Sequence, residues 1–344
     1  MNTVVFSRLR ILTGAILIGI PGFLIAQQIP SPSPSVSPSP ATSPSASPTD
    51  TLQGTTASFP LPTSGAIPPV ITAKAAILFD AHTGKIILKH NETQPRQVAS
   101  TQKLLTALII VESGNLDQPV TIEKSDTTVL PTKLGIRPGD VYTRRGLLVA
   151  LLVKSANDVA VALARDNAGS VAAFADKMNR RMAELHGNSS HFVNPNGLPC
   201  DAQYSTARDM AIVARTVYSN PLLREIINYR AINFRLNNGK TIAIYNTNHL
   251  LRDYTFCNGM KTGYTDKAGH CLIASGTWHG KDVIAVIYGE PVRPKIWKDG
   301  LSLLVYGLGL KSEEVAAARL TPPPAPKKNK KKASSSSKSR KHKS

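Results

Sequence analysis

Ser100 and Lys103 stand three residues apart at the head of the apolar run ASTQKLLTALII, residues 99–110. On a helix that spacing puts both side chains on one face. Burial disfavours the charged form of a lysine, so an ammonium there is costly. A neutral amine beside a hydroxyl can take its proton and make the serine a nucleophile. The pair also has an ordinary explanation. Ser100 could cap the helix and Lys103 could snorkel to solvent. The same spacing recurs at Ser335 and Lys338 inside a run of serines, so context must decide.

Two further short motifs follow in order. Ser155-Ala156-Asn157 lies between two apolar stretches, and Lys261-Thr262-Gly263 lies in CNGMKTGYTDKAGHCLIASG. Alone, the first reads as a turn and the second as a solvated strand edge. Together, each on a suitable element, the three form a constellation. No Gly-x-Ser-x-Gly supports a Ser-His-Asp arrangement, and no His-Glu-x-x-His suggests zinc. The sequence calls for neither a metal nor a cofactor.

The elements that must position these residues are legible. AAILFD (75–80) and KIILKH (85–90) flank a turn and read as strands. A buried helix is expected from Ser100 to about Ser113, closed by Gly114 as C′ residue. Apolar helices follow at 144–153 and from about Asp158, with Ser155 and Asn157 in the loop between them. Two more helices are expected at about 170–185 and 205–218. Asn238-Gly239 marks a hairpin between 231–236 and 240–245. Strands at about 257–263, 270–277 and 282–288 precede a closing helix over 294–309. This order, β-β, a helical block, antiparallel strands and a helix, predicts an α+β fold rather than a βαβ repeat. The expected architecture is an antiparallel sheet flanked by helices, plus an all-helical lobe.

The three motifs resemble those of penicillin-binding proteins and serine β-lactamases. The wider stretches ASTQKLLTA, SANDVAVALA, HFVNPNGL (191–198), NTNHLL (246–251) and GMKTGYTDKAGHCLIASG narrow this. They are similar to the low-molecular-mass D-alanyl-D-alanine carboxypeptidases, the serine DD-peptidase family, over about 70–310. The resemblance implies a β-lactamase/DD-peptidase-like fold. It makes Ser100 the nucleophile and Lys103 its general base. Ser155 would relay a proton to the leaving amine, and Asn157 would bond Lys103 and the substrate amide. Lys261 and Thr262, with Gly263, would hold the substrate's terminal carboxylate. The backbone N–H groups of Ser100 and Tyr264 would form the oxyanion hole.

The substrate implied is a peptidoglycan stem peptide ending in D-Ala-D-Ala, and β-lactams should acylate the same serine. A DD-endopeptidase acting on cross-links is the alternative. A β-lactamase and an inactive cell-wall-binding protein are further rivals. Glu184 and Asn188 only faintly suggest the deacylating site of the former. His191 reads as a structural histidine; Arg293 and Lys295 could help bind a carboxylate, but read first as solvated surface. Many members carry a β-rich domain and an anchoring helix after the catalytic block. Here the closing helix is followed by TPPPAP and lysines.

The 344 residues carry a formal charge of +19, unevenly distributed. Residues 1–26 begin with Arg8 and Arg10 and continue ILTGAILIGIPGFLIA, which reads as a signal peptide or an N-terminal anchor. Residues 27–68 are rich in Pro and Ser and read as a disordered linker. Residues 69–320 form the catalytic domain, and 321–344 a basic Lys/Ser-rich tail with nine Lys or Arg and no acid. An export signal argues against nucleic acid as the tail's partner; anionic envelope polymers or lipid are the candidates, beside a solvated tail with no partner. The expected location is periplasmic or otherwise extracytoplasmic. Three cysteines, Cys200, Cys257 and Cys271, leave at least one unpaired and a single disulfide open.

Overall fold

The structure, a computed structural model, describes residues 67–320. The signal or anchor segment, nearly all of the linker and the basic tail lie outside the described residues. The chain opens with strands β1 (Ala75–Asp80) and β2 (Ile86–His90). A 3-10 turn over Ala99–Gln102 runs directly into helix α1 (Lys103–Glu112). Strands β3 (Pro119–Thr121) and β4 (Val141–Thr143) pair as a small ribbon.

Helices α2 (Arg144–Lys154), α3 (Asn157–Ala168), α4 (Val171–Glu184), α5 (Ala207–Ser219) and α6 (Pro221–Ile227) form the helical block. A hairpin of β5 (Ala231–Arg235) and β6 (Thr241–Tyr245) leads to α7 (His249–Asp253). Then come β7 (Cys257–Thr265), β8 (Gly269–Trp278), β9 (Lys281–Glu290), α8 (Arg293–Leu308) and α9 (Ser312–Ala317).

The main sheet has five antiparallel strands in the order β2-β1-β9-β8-β7. Side chains alternate between its faces with period two, and both faces are covered. Ile77 and Phe79 of β1 and Ile284 and Val286 of β9 join a core with the helical block. Ala76 and Leu78 of β1 and Val283, Ala285 and Ile287 of β9 join a second core with α7 and α8. All but the first residue of β9 is buried, which explains why that strand reads as a continuous apolar run. The expected α+β architecture is the one observed.

Local signals set the helix ends. Thr143, Ser170, Thr206 and Asn220 each accept a backbone N–H at the start of α2, α4, α5 and α6, as N-caps should. Gly114, after α1, has φ +69°, and Gly169, after α3, has φ +80°. The turn at Asn238-Gly239 closes with Gly239 N–H donating to Leu236 O at 2.9 Å. All three cysteines are free thiols. No helix among the described residues is long and apolar enough to cross a membrane.

Candidate active site

The sequence places Ser100 at the start of an α-helix; the structure places it within the 3-10 turn before α1, where no side-chain cap bond forms. The difference has a chemical consequence. A 3-10 turn has three residues per turn and eclipses positions i and i+3. Ser100 and Lys103 are therefore stacked directly over each other, with Lys103 Nζ 2.8 Å from Ser100 Oγ. The turn is entered through Ala99 at φ +48°, a left-handed conformation that costs a residue with a Cβ.

Close packing holds that turn. A Cβ on Gly197 would lie 2.1 Å from Ala99 O, and one on Gly263 would lie 2.8 Å from Ser100 N. Both positions are glycine because backbone runs against backbone there.

Lys103 is fully buried. Besides Ser100 it meets Asn157 Oδ1 at 2.7 Å and the Asn196 carbonyl at 2.5 Å. A neutral amine has two hydrogens and one lone pair. Donating to Asn157 and Asn196 leaves the lone pair for the Ser100 hydroxyl. Burial holds Lys103 well below its ordinary pKa, the cation of Lys261 lowers it further, and Asp158 opposes both.

Asn157 is fixed at α3's first position. Its Nδ2 donates to Pro131 O at 2.7 Å and its backbone N–H donates to Thr132 O at 2.8 Å. Ser155 ends α2 in the left-handed conformation, φ 64°. Its Oγ accepts from Lys261 Nζ at 2.7 Å, and Lys261 also donates to Thr262 O at 2.9 Å. Lys261 is 1% exposed, and burial brings its pKa down to about 7.

Ser100, Ser155, Thr262, Gly263 and Tyr264 line one cleft of about 450 Å³. Lys103, Asn157 and Lys261 sit behind them, joined by the hydrogen bonds above. The structure thus brings together all eight residues named from sequence. Tyr264 contributes its position on β7 rather than a buried ring. It is 56% exposed, its hydroxyl donates to Asp266 at 2.8 Å, and its ring stacks on His270 at 4.3 Å.

Several cleft residues escaped the sequence reading. The Asn196 carbonyl has no residue-type signature, though it lies within the family-like stretch HFVNPNGL. Thr247 lines the cleft, and its hydroxyl lies 2.6 Å from that of Thr262. The buried amides of Asn246 and Asn248 hold its loop through bonds to Tyr229 O and Gly259 O. Arg293, expected as solvated surface, is exposed and also lines the cleft, with Ile296 and Trp297. Trp297 stacks on His249 at 4.3 Å. Burial, and then Arg293, hold His270 below its ordinary pKa.

Glu184 pairs with Arg181 at 3.1 Å and is largely exposed, as a chance likeness would be. His191 is exposed, and its backbone bridges Tyr204. No cluster of three or more metal-ligating side chains occurs among the described residues.

Residues 63–291 match the family model of the D-alanyl-D-alanine carboxypeptidases, peptidase family S11. The chain belongs to this family. It is 32% identical over 222 residues to the Bacillus subtilis D-alanyl-D-alanine carboxypeptidase DacF, covering 63% of this chain and 57% of the relative. It is 32% identical over 256 residues to the Mycobacterium tuberculosis D-alanyl-D-alanine carboxypeptidase DacB2, covering 73% and 87%. The solved Streptomyces K15 DD-transpeptidase superposes with a TM-score of 0.68 at 29% identity, over 71% of this chain and all of that one. The chain thus spans little more than half of the first relative's length and most of the second's.

Proposed function

We propose that this family member is a serine-type D-Ala-D-Ala carboxypeptidase that trims peptidoglycan stem peptides through an acyl-Ser100 intermediate. The observation that carries the reading is the Lys103 environment. The amine is buried, has two fixed acceptors, and has its third direction on a serine hydroxyl in the cleft.

Lys103 takes the Ser100 proton as Oγ attacks the carbonyl of the penultimate D-Ala. The Ser100 and Tyr264 backbone N–H groups receive the oxyanion. The close approach of Gly263 to Ser100 N supports that pairing of strand and turn. Lys103 then passes the proton through Ser155 to the leaving amine. Ser155 suits the relay because its oxygen already accepts from Lys261, leaving its own hydrogen free to donate. Lys261 and Thr262 hold the terminal carboxylate, and Asn157 aligns the peptide amide. D-Ala departs, and water releases the acyl group by the reverse proton route. A β-lactam enters the same sequence and stalls at the acyl stage.

The place of action is the cell wall, outside the cytoplasmic membrane. The basic tail, with its nine cations and no acid, would hold the enzyme near anionic envelope polymers or lipid. Incubation with a linear peptide ending in D-Ala-D-Ala and, separately, with a cross-linked stem-peptide dimer tests the reaction. Release of free D-Ala from the linear peptide, lost in Ser100→Ala, is the expected result. Cleavage of the dimer alone would assign the endopeptidase reaction instead.

A further inference from the structure

The far wall of the cleft is tied to the first described residues of the chain by one threonine. Thr72 Oγ donates to Glu290 Oε2 at 2.5 Å, and Thr72 N–H donates to Asp299 Oδ2 at 2.9 Å. Ala73 N–H adds a second bond to Asp299 Oδ2 at 3.0 Å. Both carboxylates are buried, Glu290 at 0% and Asp299 at 2% exposed. Thr72 and Ala73 thus offer these carboxylates one hydroxyl and two backbone amides, and a buried carboxylate that loses such a donor is costly.

The tie brackets the segment that builds the wall. Glu290 closes β9, and its Oε1 accepts from Val292 N–H at 2.9 Å, shaping the turn into α8. Asp299 lies two residues beyond Trp297 on α8. Between the two anchors stand Arg293, Ile296 and Trp297, the three residues that α8 gives to the cleft. Glu290 also faces His270, another lining residue, in the β8–β9 register. Beyond the anchors the helix is pressed on the sheet: a Cβ on Gly300 would lie 2.7 Å from a Leu272 methyl. The reacting groups come from elsewhere, namely the 3-10 turn with α1, the α2–α3 junction and β7.

We infer that Thr72 is a positioning residue: by bridging Glu290 and Asp299 it sets where Arg293 and Trp297 stand, and so how firmly the cleft holds a peptide. This rests on the carboxypeptidase reading. It predicts an effect on substrate binding with little effect on chemistry, because the tie touches the wall and not the Ser100-Lys103 pair.

The test uses the full chain, with Thr72→Val and Thr72→Ser made in a Trp278→Phe background. Trp297 is then the only tryptophan, since the chain has two. Thr72→Val should raise KM for a linear D-Ala-D-Ala peptide on the order of tenfold, the cost of one bond to a charged group. It should leave kcat within about twofold, and shift Trp297 emission and its quenching by acrylamide. Thr72→Ser, which keeps the hydroxyl, should restore all three. If Thr72→Val does not fold, Glu290→Gln, which keeps the shape and weakens the bond, should move KM and Trp297 the same way.

An unchanged KM with unchanged Trp297 emission would overturn the inference. So would a loss of kcat that merely follows lost thermal stability. A penicillin adduct on the parent protein with either result sinks the inference alone. No adduct on the parent would sink the carboxypeptidase reading, and the Trp297 signal would then decide the tie.

Discussion

The two buried lysines make a quantitative prediction about pH. In the proposed reaction Lys261 must be an ammonium to hold a carboxylate, yet burial brings its pKa down to about 7. At pH 9 only about 1% of free enzyme would carry that charge, against half at pH 7. kcat/KM, which reports free enzyme, should therefore fall about fiftyfold between pH 7 and 9. A bound carboxylate favours the ammonium, so the corresponding limb of kcat should lie at higher pH.

Lys103 must be neutral, so it supplies the acid limb. That limb should lie far below a normal lysine's range, because burial first and Lys261 second depress Lys103. Lys261→Arg keeps a charge that does not titrate here. It should lower the rate overall but abolish the alkaline limb. Lys261→Met removes the cation and should move the acid limb upward. The assay is D-Ala release under kcat/KM conditions from pH 5 to 10, with buffer and ionic strength controlled. A flat wild-type profile from 7 to 9, or the same alkaline midpoint in Lys261→Arg, would refute the reasoning.

Stability should follow the same lysines. Both have folded-state pKa values below the unfolded 10.5. Between about pH 7 and 10.5 the unfolded chain binds more protons, so their contribution to stability rises with pH across that window. Chemical denaturation of wild type against Lys261→Met should show the slope reduced in the variant. Gly263→Ala would put a methyl 2.8 Å from Ser100 N and 2.9 Å from Ala99 Cβ. Displacing the nucleophile turn by a fraction of an ångström to 1 Å should cost on the order of 100-fold in kcat, with circular dichroism unchanged. Arg165 grips Asp126 through two bonds of 2.8 and 3.0 Å, and the Asp126 side chain is fully buried. Arg165→Ala removes both bonds and leaves the buried carboxylate the Glu123 N–H at 2.8 Å, so it should cost about 3 kcal/mol in denaturant unfolding.

What the sequence disclosed depended on whether function resided in side chains or in backbone. Ser100, Lys103, Asn157 and Lys261 announce themselves because their chemistry is a residue type at a fixed spacing. The strands of the main sheet were legible because apolar runs and turn residues bound them. The Asn196 carbonyl, which completes the Lys103 environment, is a backbone atom that any residue would supply. Ala99 in a left-handed conformation was illegible because local preference argues against it; packing by Gly197 and Gly263 overrides that preference.

That Arg293 and Trp297 line the cleft was not legible for another reason. They start a helix whose other face is plainly core, and only tertiary structure shows that its first turn meets the cleft. The short elements β3, β4, α6, α7 and α9 are three to seven residues long, too brief for periodicity to register. Within α7, Asn248 at the N-cap was a signal that could have been read.

The acyl-serine mechanism is the claim on which the rest depends. Intact mass of the purified protein after incubation with penicillin, followed by peptide mapping, tests it most directly. The account predicts one stable adduct on the peptide that contains Ser100, absent in Ser100→Ala. An unmodified protein with the drug left intact, or an adduct mapped to any other residue, would contradict it.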